Sequence, residues 1–244
     1  MSMKTIVSIT SHGRRVAEAA PIAISTLLRQ TYQPDKIVLY LDNDYTDDLP
    51  PPINHLISDK FEVRREYENI GPHSKWFWAM QEFPDDLVIL ADDDMQYNPD
   101  TIQLLVERHK QFPDKIVCFC KHWHNDRIWP LHLLGVLYPP RILSHVDLFN
   151  KELITTLTPI HDEMWLWAMS RLSNVDIIYA RDIDPMSWEE LMEFSPPIDP
   201  GHHCCGTSLA SCNVGQNQEN RQLKNIIKYY PQLLDYLELS TKTV

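Results

Sequence analysis

Five short apolar runs, each opening about one βα unit after the last, leave this chain few folds to choose from. KTIVSIT begins at Lys4, KIVLYL at Lys36, FEVRREY at Phe61, LVILA at Leu87 and IVCFC at Ile116, so successive starts lie 32, 25, 26 and 29 residues apart. That spacing holds one strand, one helix and two connections. Between the runs the period changes. Val16, Ala19, Ala20, Ala23 and Leu27 form one helical stripe, and Ile102, Leu105, Val106 and His109 a second. Asn98 as cap and Pro99 at the first helical position set the predicted start of the second. Alternating β and α predicts an α/β fold, a mostly parallel sheet flanked by helices.

Beyond residue 121 the rhythm loosens. His122–Arg127 reads as a loop, Gly135–Pro140 as a short apolar segment ending in a turn, Asp162–Leu172 as a helix and Val175–Ala180 as a short strand. Arg181–Gly215 reads as long and irregular, a length found in functional lids or disordered segments. Gln218–Leu239 is helical around a break at Pro231. The expected organisation is a nucleotide-binding half over residues 1–120 and an acceptor-side half over 121–244.

The chain of 244 residues carries a formal charge of −12, which argues against nucleic acid as a partner because phosphate contacts need clustered Lys and Arg. Five cysteines, an odd number, point to free thiols. No run of eighteen apolar residues occurs, and the first residues lack an apolar signal core, so a cytoplasmic location is expected. Contact with a membrane would be peripheral at most, through the tail 225–239. With only six glycines there is neither G-x-G-x-x-G nor a P-loop. A bound phosphate must therefore be held by side chains and metal.

The LVILA strand runs directly into Asp92-Asp93-Asp94. Three adjacent carboxylates are costly unless a cation or strong donors neutralise them. In an extended segment residues i and i+2 share a face, so Asp92 and Asp94 are expected to converge on one ion. Carboxylate oxygens suit Mg²⁺ or Mn²⁺, which keep open positions for substrate phosphates. Polar clusters follow two further strands: Thr10-Ser11-His12-Gly13-Arg14-Arg15 and Asp42-Asn43-Asp44. Open α/β sheets bind ligands beyond the carboxyl ends of their strands, so the three clusters are expected to line one crevice. His202-His203-Cys204-Cys205, with Cys212 nearby, lacks C-x-x-C spacing and makes a poor zinc site.

SITSHGRR, STLLRQTYQPDKIVLYLDND, ENIGPHSKWFWAMQEFPDDLVILADDDMQYNPD, GVLYPP and HDEMWLWAM, in that order, resemble glycosyltransferases of the GT-A fold, particularly bacterial family 2-like enzymes that build surface polysaccharides. The resemblance implies a metal-dependent transfer of a sugar from a nucleoside-diphosphate donor, usually UDP-linked, to a hydroxyl of a glycan or other acceptor, by an inverting displacement. It implies that Thr10 and Arg14 line the nucleotide pocket and that Asp42 meets the uracil or ribose. Lys75 would meet the diphosphate and Asp92 the ribose. Asp94, with or without Asp93, would bind the metal, to which His202 or His203 could add a late ligand. The pair Asp162-Glu163 falls where the family places its catalytic base.

Either acid of that pair can serve as base, and Asp162 also stands where a helix N-cap would. Of the neighbouring arginines, Arg14 is expected in the site and Arg15 in a salt bridge. Trp165, beside the acids, is a core residue or a platform for a sugar ring. Two other functions fit parts of the pattern. One is a nucleotidyltransferase that makes sugar nucleotides, although its glycine-rich basic loop is missing. The other is a non-catalytic nucleotide- or carbohydrate-binding module.

Overall fold

A computed structural model describes residues 3–120, 129–181, 188–198 and 217–240. The His122–Arg127 loop, the His202–Cys205 cluster, Cys212 and the greater part of the stretch between Arg181 and Gly215 lie outside them.

Each apolar run forms a strand: β1 (Thr5–Thr10), β2 (Lys36–Asp42), β3 (Phe61–Tyr67), β4 (Leu87–Leu90) and β5 (Ile116–Cys118). The two short segments of the second half add β6 (Val136–Tyr138) and β7 (Ile177–Tyr179). All seven make one sheet in the order β3-β2-β1-β4-β6-β5-β7. Only β6 runs against the others. Successive side chains of a strand face opposite ways, and both faces are covered here. Ile6, Val38, Tyr40, Val88 and Leu90 pack under one layer of helices, while Val7, Ile9, Ile37, Leu39 and Ile89 pack under the other.

The first layer holds α4 (Ser74–Glu82), α6 (Lys151–Leu157), α7 (Asp162–Leu172) and α9 (Gln218–Tyr229). Its centre is aromatic: Trp76, Trp165 and Trp167 are fully buried. Trp165 Nε1 donates to the Leu148 carbonyl at 3.1 Å, so this ring is core and not a platform for a sugar. The second layer is built on α2 (Ala20–Leu27) and α5 (Thr101–Gln111). The first apolar stripe is two pieces, because α1 (Arg15–Glu18) ends at Ala19 before α2 begins.

Three boundaries depart from the sequence expectation. α5 starts at Thr101 with Asp100 at its cap, because the Asn98 side chain accepts from Asp100 N–H at 3.0 Å and holds a turn instead of a helix start. The N-cap of α7 is His161; Asp162 is its first helical residue and caps nothing. Within the stretch read as irregular lies a helix, α8 (Trp188–Phe194), anchored by the buried Leu191. Beyond α9 the chain turns at Pro231 and continues into α10 (Leu234–Ser240). Among the described residues no helix is long and apolar enough to cross a membrane.

Candidate active site

From β1 the chain moves outward to β2 and β3, then returns to lay β4 on the other side of β1. The order therefore reverses between β1 and β4, and the carboxyl ends of those strands open a crevice there. Ser11 follows β1 and Asp92–Asp94 follow β4, so both loops face the switch point.

β4 stops at Leu90 and the chain turns at Asp93–Asp94, and two cations divide the three acids between them. Tyr97, buried, braces the turn: its hydroxyl accepts from Asp92 N–H at 2.7 Å and donates to the Asp92 carbonyl at 2.9 Å. Asp93 accepts from the Ser11 hydroxyl. The Arg15 guanidinium joins Asp93 Oδ1, at 2.6 Å, to Asp94 Oδ2. Asp92 Oδ1 belongs to another cation, lying 2.6 Å from Lys75 Nζ.

Lys75 is not a surface lysine. It sits in the first turn of α4, 5% exposed, and its ammonium also lies 3.2 Å from Asp162 Oδ2. It thus ties the end of β4 to the start of α7. A 3₁₀ turn, His132–Leu134, closes the far side of α7. His132 Nδ1 lies 3.0 Å from Asp162 Oδ2, and His132 N–H donates to Glu163 Oε1 at 2.8 Å. Gly135 ends the turn at φ +92, where a Cβ would sit 3.3 Å from Leu105 Cδ1. Only glycine combines that backbone with that space.

These contacts separate the two acids of α7. Burial alone would raise the Asp162 carboxyl, but Lys75 and His132 outweigh it and hold it far below the usual range. Burial raises Glu163 well above its usual range, and Asp162 and Asp92 push the same way. The two acids therefore differ in proton affinity, Glu163 binding a proton more tightly than Asp162. Burial pushes Lys75 down, yet Asp162 and Asp92 more than reverse this and keep it charged. Asp93 is raised by burial, which Arg15 and Ser11 offset only in part.

Of the other residues singled out in the sequence, Thr10 closes β1 with its hydroxyl donating to the Tyr40 carbonyl at 3.0 Å. Asp42 closes β2 and accepts from Asp44 N–H at 3.0 Å, an Asx turn. Arg14 and Arg15 exchange their expected places. Arg14 is 62% exposed and pairs with Glu18 at 3.7 Å, while Arg15 is turned in among the acids. Neighbours on a helix point about 100° apart, so only one of the two could face the crevice. Sequence reasoning placed Ser11 only within a polar cluster, and did not find Tyr97 or His132. For His132 the available signal was a polar residue between Leu131, Leu133 and Leu134, an apolar stretch that places it inside.

Whether a divalent ion suits these residues can be judged from their donors and charge. Among the described residues, three carboxylates after β4 and two at the start of α7 face two cations, Arg15 and Lys75. Oxygen donors and an excess of negative charge fit Mg²⁺ or Mn²⁺. No three Asp, Glu, His or Cys side chains among the described residues form a closed cage. The fit is to an ion held by one or two carboxylates and completed by the phosphates of a ligand.

A Rossmann-like sheet with an acidic crevice at its switch point defines a nucleotide-handling α/β domain. The sequence model of glycosyl transferase family 2 matches residues 7–166, and the chain belongs to that family. It is a glycosyltransferase of the GT-A fold. No curated protein matches it significantly.

Among solved structures, residues 1–349 of S. aureus TarS in complex with UDP match with a TM-score of 0.53 at 16% identity, over 96% of this chain and 83% of that one. A cytidylyltransferase from Leptospira borgpetersenii matches with a TM-score of 0.50 at 12% identity, over 95% and 97%. The mannosyltransferase PcManGT from Pyrobaculum calidifontis, in complex with GDP-Man and Mn²⁺, matches with a TM-score of 0.48 at 16% identity, over 71% of this chain and 54% of that one. This chain thus spans about half the length of the mannosyltransferase. At these identities the likenesses establish the fold alone.

Proposed function

We propose that this enzyme transfers a sugar from a UDP-linked donor to a hydroxyl of a glycan or other acceptor, with inversion, in building a surface polysaccharide. The observation that carries the reading is the crevice itself: two sets of carboxylates, from β4 and from α7, meet at the switch point with fewer cations than acids among the described residues. Residues 1–120 form the donor side, with Thr10 and Asp42 along the nucleotide and Arg15 among the acids of the crevice. Residues 121–244 form the acceptor side. A location in the cytoplasm, at most touching a membrane surface, suits a nucleotide-sugar donor.

In this mechanism the acceptor hydroxyl attacks the anomeric carbon while Glu163 takes its proton. The bond from that carbon to the diphosphate oxygen breaks, and its electron pair leaves with the diphosphate. Glu163 is the better base of the pair because its proton affinity is raised, whereas Asp162 is held ionised by Lys75 and His132. Lys75 fixes Asp92 beside the ribose end of the donor and places a positive charge near the diphosphate. A Mn²⁺ or Mg²⁺ ion on Asp92 and Asp94, with Asp93 adjoining, would supply Lewis-acid stabilisation of the leaving group. A single carboxylate base suffices for such a displacement, unlike hydrolysis of a glycoside, which needs two.

The fold is also that of a cytidylyltransferase, but the family match and the acids on α7 favour sugar transfer. Thermal unfolding against UDP, GDP, CMP and ADP, with and without Mn²⁺, tests the donor site. UDP should stabilise the protein only with Mn²⁺, by about 2.7 kcal/mol at a hundredfold excess over Kd. Asp94→Asn should abolish the shift. If no nucleotide moves the midpoint in either condition, the donor reading is wrong.

A further inference from the structure

His132 touches both acids of α7 by different parts of itself. Its ring meets Asp162 and its main-chain N–H meets Glu163. An ionised carboxylate only accepts, so ring Nδ1 carries the proton and donates to Asp162 Oδ2 at 3.0 Å. Nε2 is then the acceptor that faces the Tyr138 hydroxyl, at 3.4 Å. The ring is wholly buried, between α7 on one side and β6 on the other. Gly135 lets the 3₁₀ turn approach closely enough to deliver it.

Two carboxylates one residue apart, shielded from water, tend to share one proton. A base that shares its proton with a neighbour is poorly aimed and poorly timed. Asp162 Oδ2 receives a donor from each side, the Lys75 ammonium and the His132 ring, and has no oxygen direction left for Glu163 there. The His132 N–H meanwhile fixes Oε1 of Glu163 from the same turn. We propose that His132 is a positioning residue for sugar transfer, holding Asp162 as a fixed anion and aiming Glu163 at the acceptor. The inference rests on Glu163 being the base.

The test compares His132→Leu, His132→Asn, His132→Gln and Glu163→Gln in the full chain with Mn²⁺. The donor is whichever of UDP-glucose, UDP-galactose, UDP-N-acetylglucosamine and GDP-mannose the wild type turns over fastest, with nucleotide diphosphate release as the signal. Water serves as acceptor: its oxygen bonds to the anomeric carbon, Glu163 takes one proton, and the diphosphate departs. Glu163→Gln should lose at least 100-fold in kcat. His132→Leu should lose about 10- to 100-fold in kcat, with the donor KM within twofold of wild type. Asn carries an N–H at the level of ring Nδ1 and should restore at least tenfold of a 100-fold loss; Gln carries its amide one bond further out and should not.

Turnover by His132→Leu within twofold of wild type overturns the inference, as does a loss confined to KM or a loss that Asn fails to repair. If His132→Leu does not fold, Asn and Gln decide it, and equal turnover by those two refutes the positioning role. A fully active Glu163→Gln removes the base assignment, and the inference with it. Turnover of none of the four donors by the wild type removes the transfer reading itself.

Discussion

The two lips of the crevice hold their acids in opposite ways. On the β1/β4 lip, Asp93 and Asp94 share Arg15, a side chain reaching in from the short helix α1, 14% exposed, whose buried Nε has no partner among the described residues. On the α7 lip, Asp162 shares Lys75, which is enclosed between α4, the end of β4 and α7 and satisfied on more than one side. One lip is neutralised by a cation at the end of a flexible stem near solvent, the other by a cation built into the core. In the proposed mechanism the first arrangement exchanges its cation for a metal and a diphosphate, and the second holds one carboxylate fixed beside the base.

The comparison breaks most visibly if the enclosed cation is removed. Lys75→Met fills a similar volume but leaves Asp92 and Asp162 without their shared ammonium. Removing one partner of a buried ion pair costs about 3–5 kcal/mol. Denaturant midpoints at constant slope should show that loss, whereas Arg15→Gln, which keeps a neutral amide toward Asp93 and Asp94, should cost less. Equal losses would mean that the lips are alike and that Lys75 is no more structural than Arg15.

This division explains what could be read from the sequence. The strands were legible because buried parallel strands are near-continuous apolar runs, and even three-residue β6 and β7 lie within segments marked by their apolar content. The acids were legible because they follow such runs. Their partners were not. Arg14 and Arg15 are chemically equal neighbours, and which one faces the crevice depends on where α1 starts. Asp162 looked like a cap because capping is local, while its actual partners, Lys75 and His132, stand far away in the chain. α8 was missed because two turns of helix between prolines carry too little period to separate from a loop.

The exchangeable lip sharpens next. If Arg15 occupies carboxylate oxygens that an ion needs, it competes with that ion. Arg15→Gln should then bind Mn²⁺ about tenfold more tightly without nucleotide, a gain of about 1.4 kcal/mol. The resonance of free Mn²⁺ in electron paramagnetic spectra reads this directly, without turnover. Weaker binding by the variant would make Arg15 a support of the ion site and erase the contrast drawn for this lip.

The other lip is tested by setting its two adjacent acids against each other. Burial, then Asp162 and Asp92, raise the Glu163 carboxyl above its ordinary value. A raised folded value means that the folded chain binds this proton more tightly than the unfolded chain. Its stabilising contribution is therefore complete below about pH 4.3, the ordinary Glu value, and fades as pH climbs through the raised value. Glu163→Gln has nothing to titrate and can still accept the His132 N–H. It should match wild type near pH 4 and pull ahead toward pH 7, by about 1.4 kcal/mol for each unit of elevation and about 2–4 °C in Tm per kcal/mol for a chain of this size. Asp162→Asn should behave in the opposite sense. Lys75 and His132 overcome burial to lower that carboxyl, so the variant should lag above about pH 3.9 and recover below it. Two pH profiles of Tm that run parallel, instead of departing from the wild type on opposite sides as pH rises, would show that the two acids share one environment and that neither is set apart as the base.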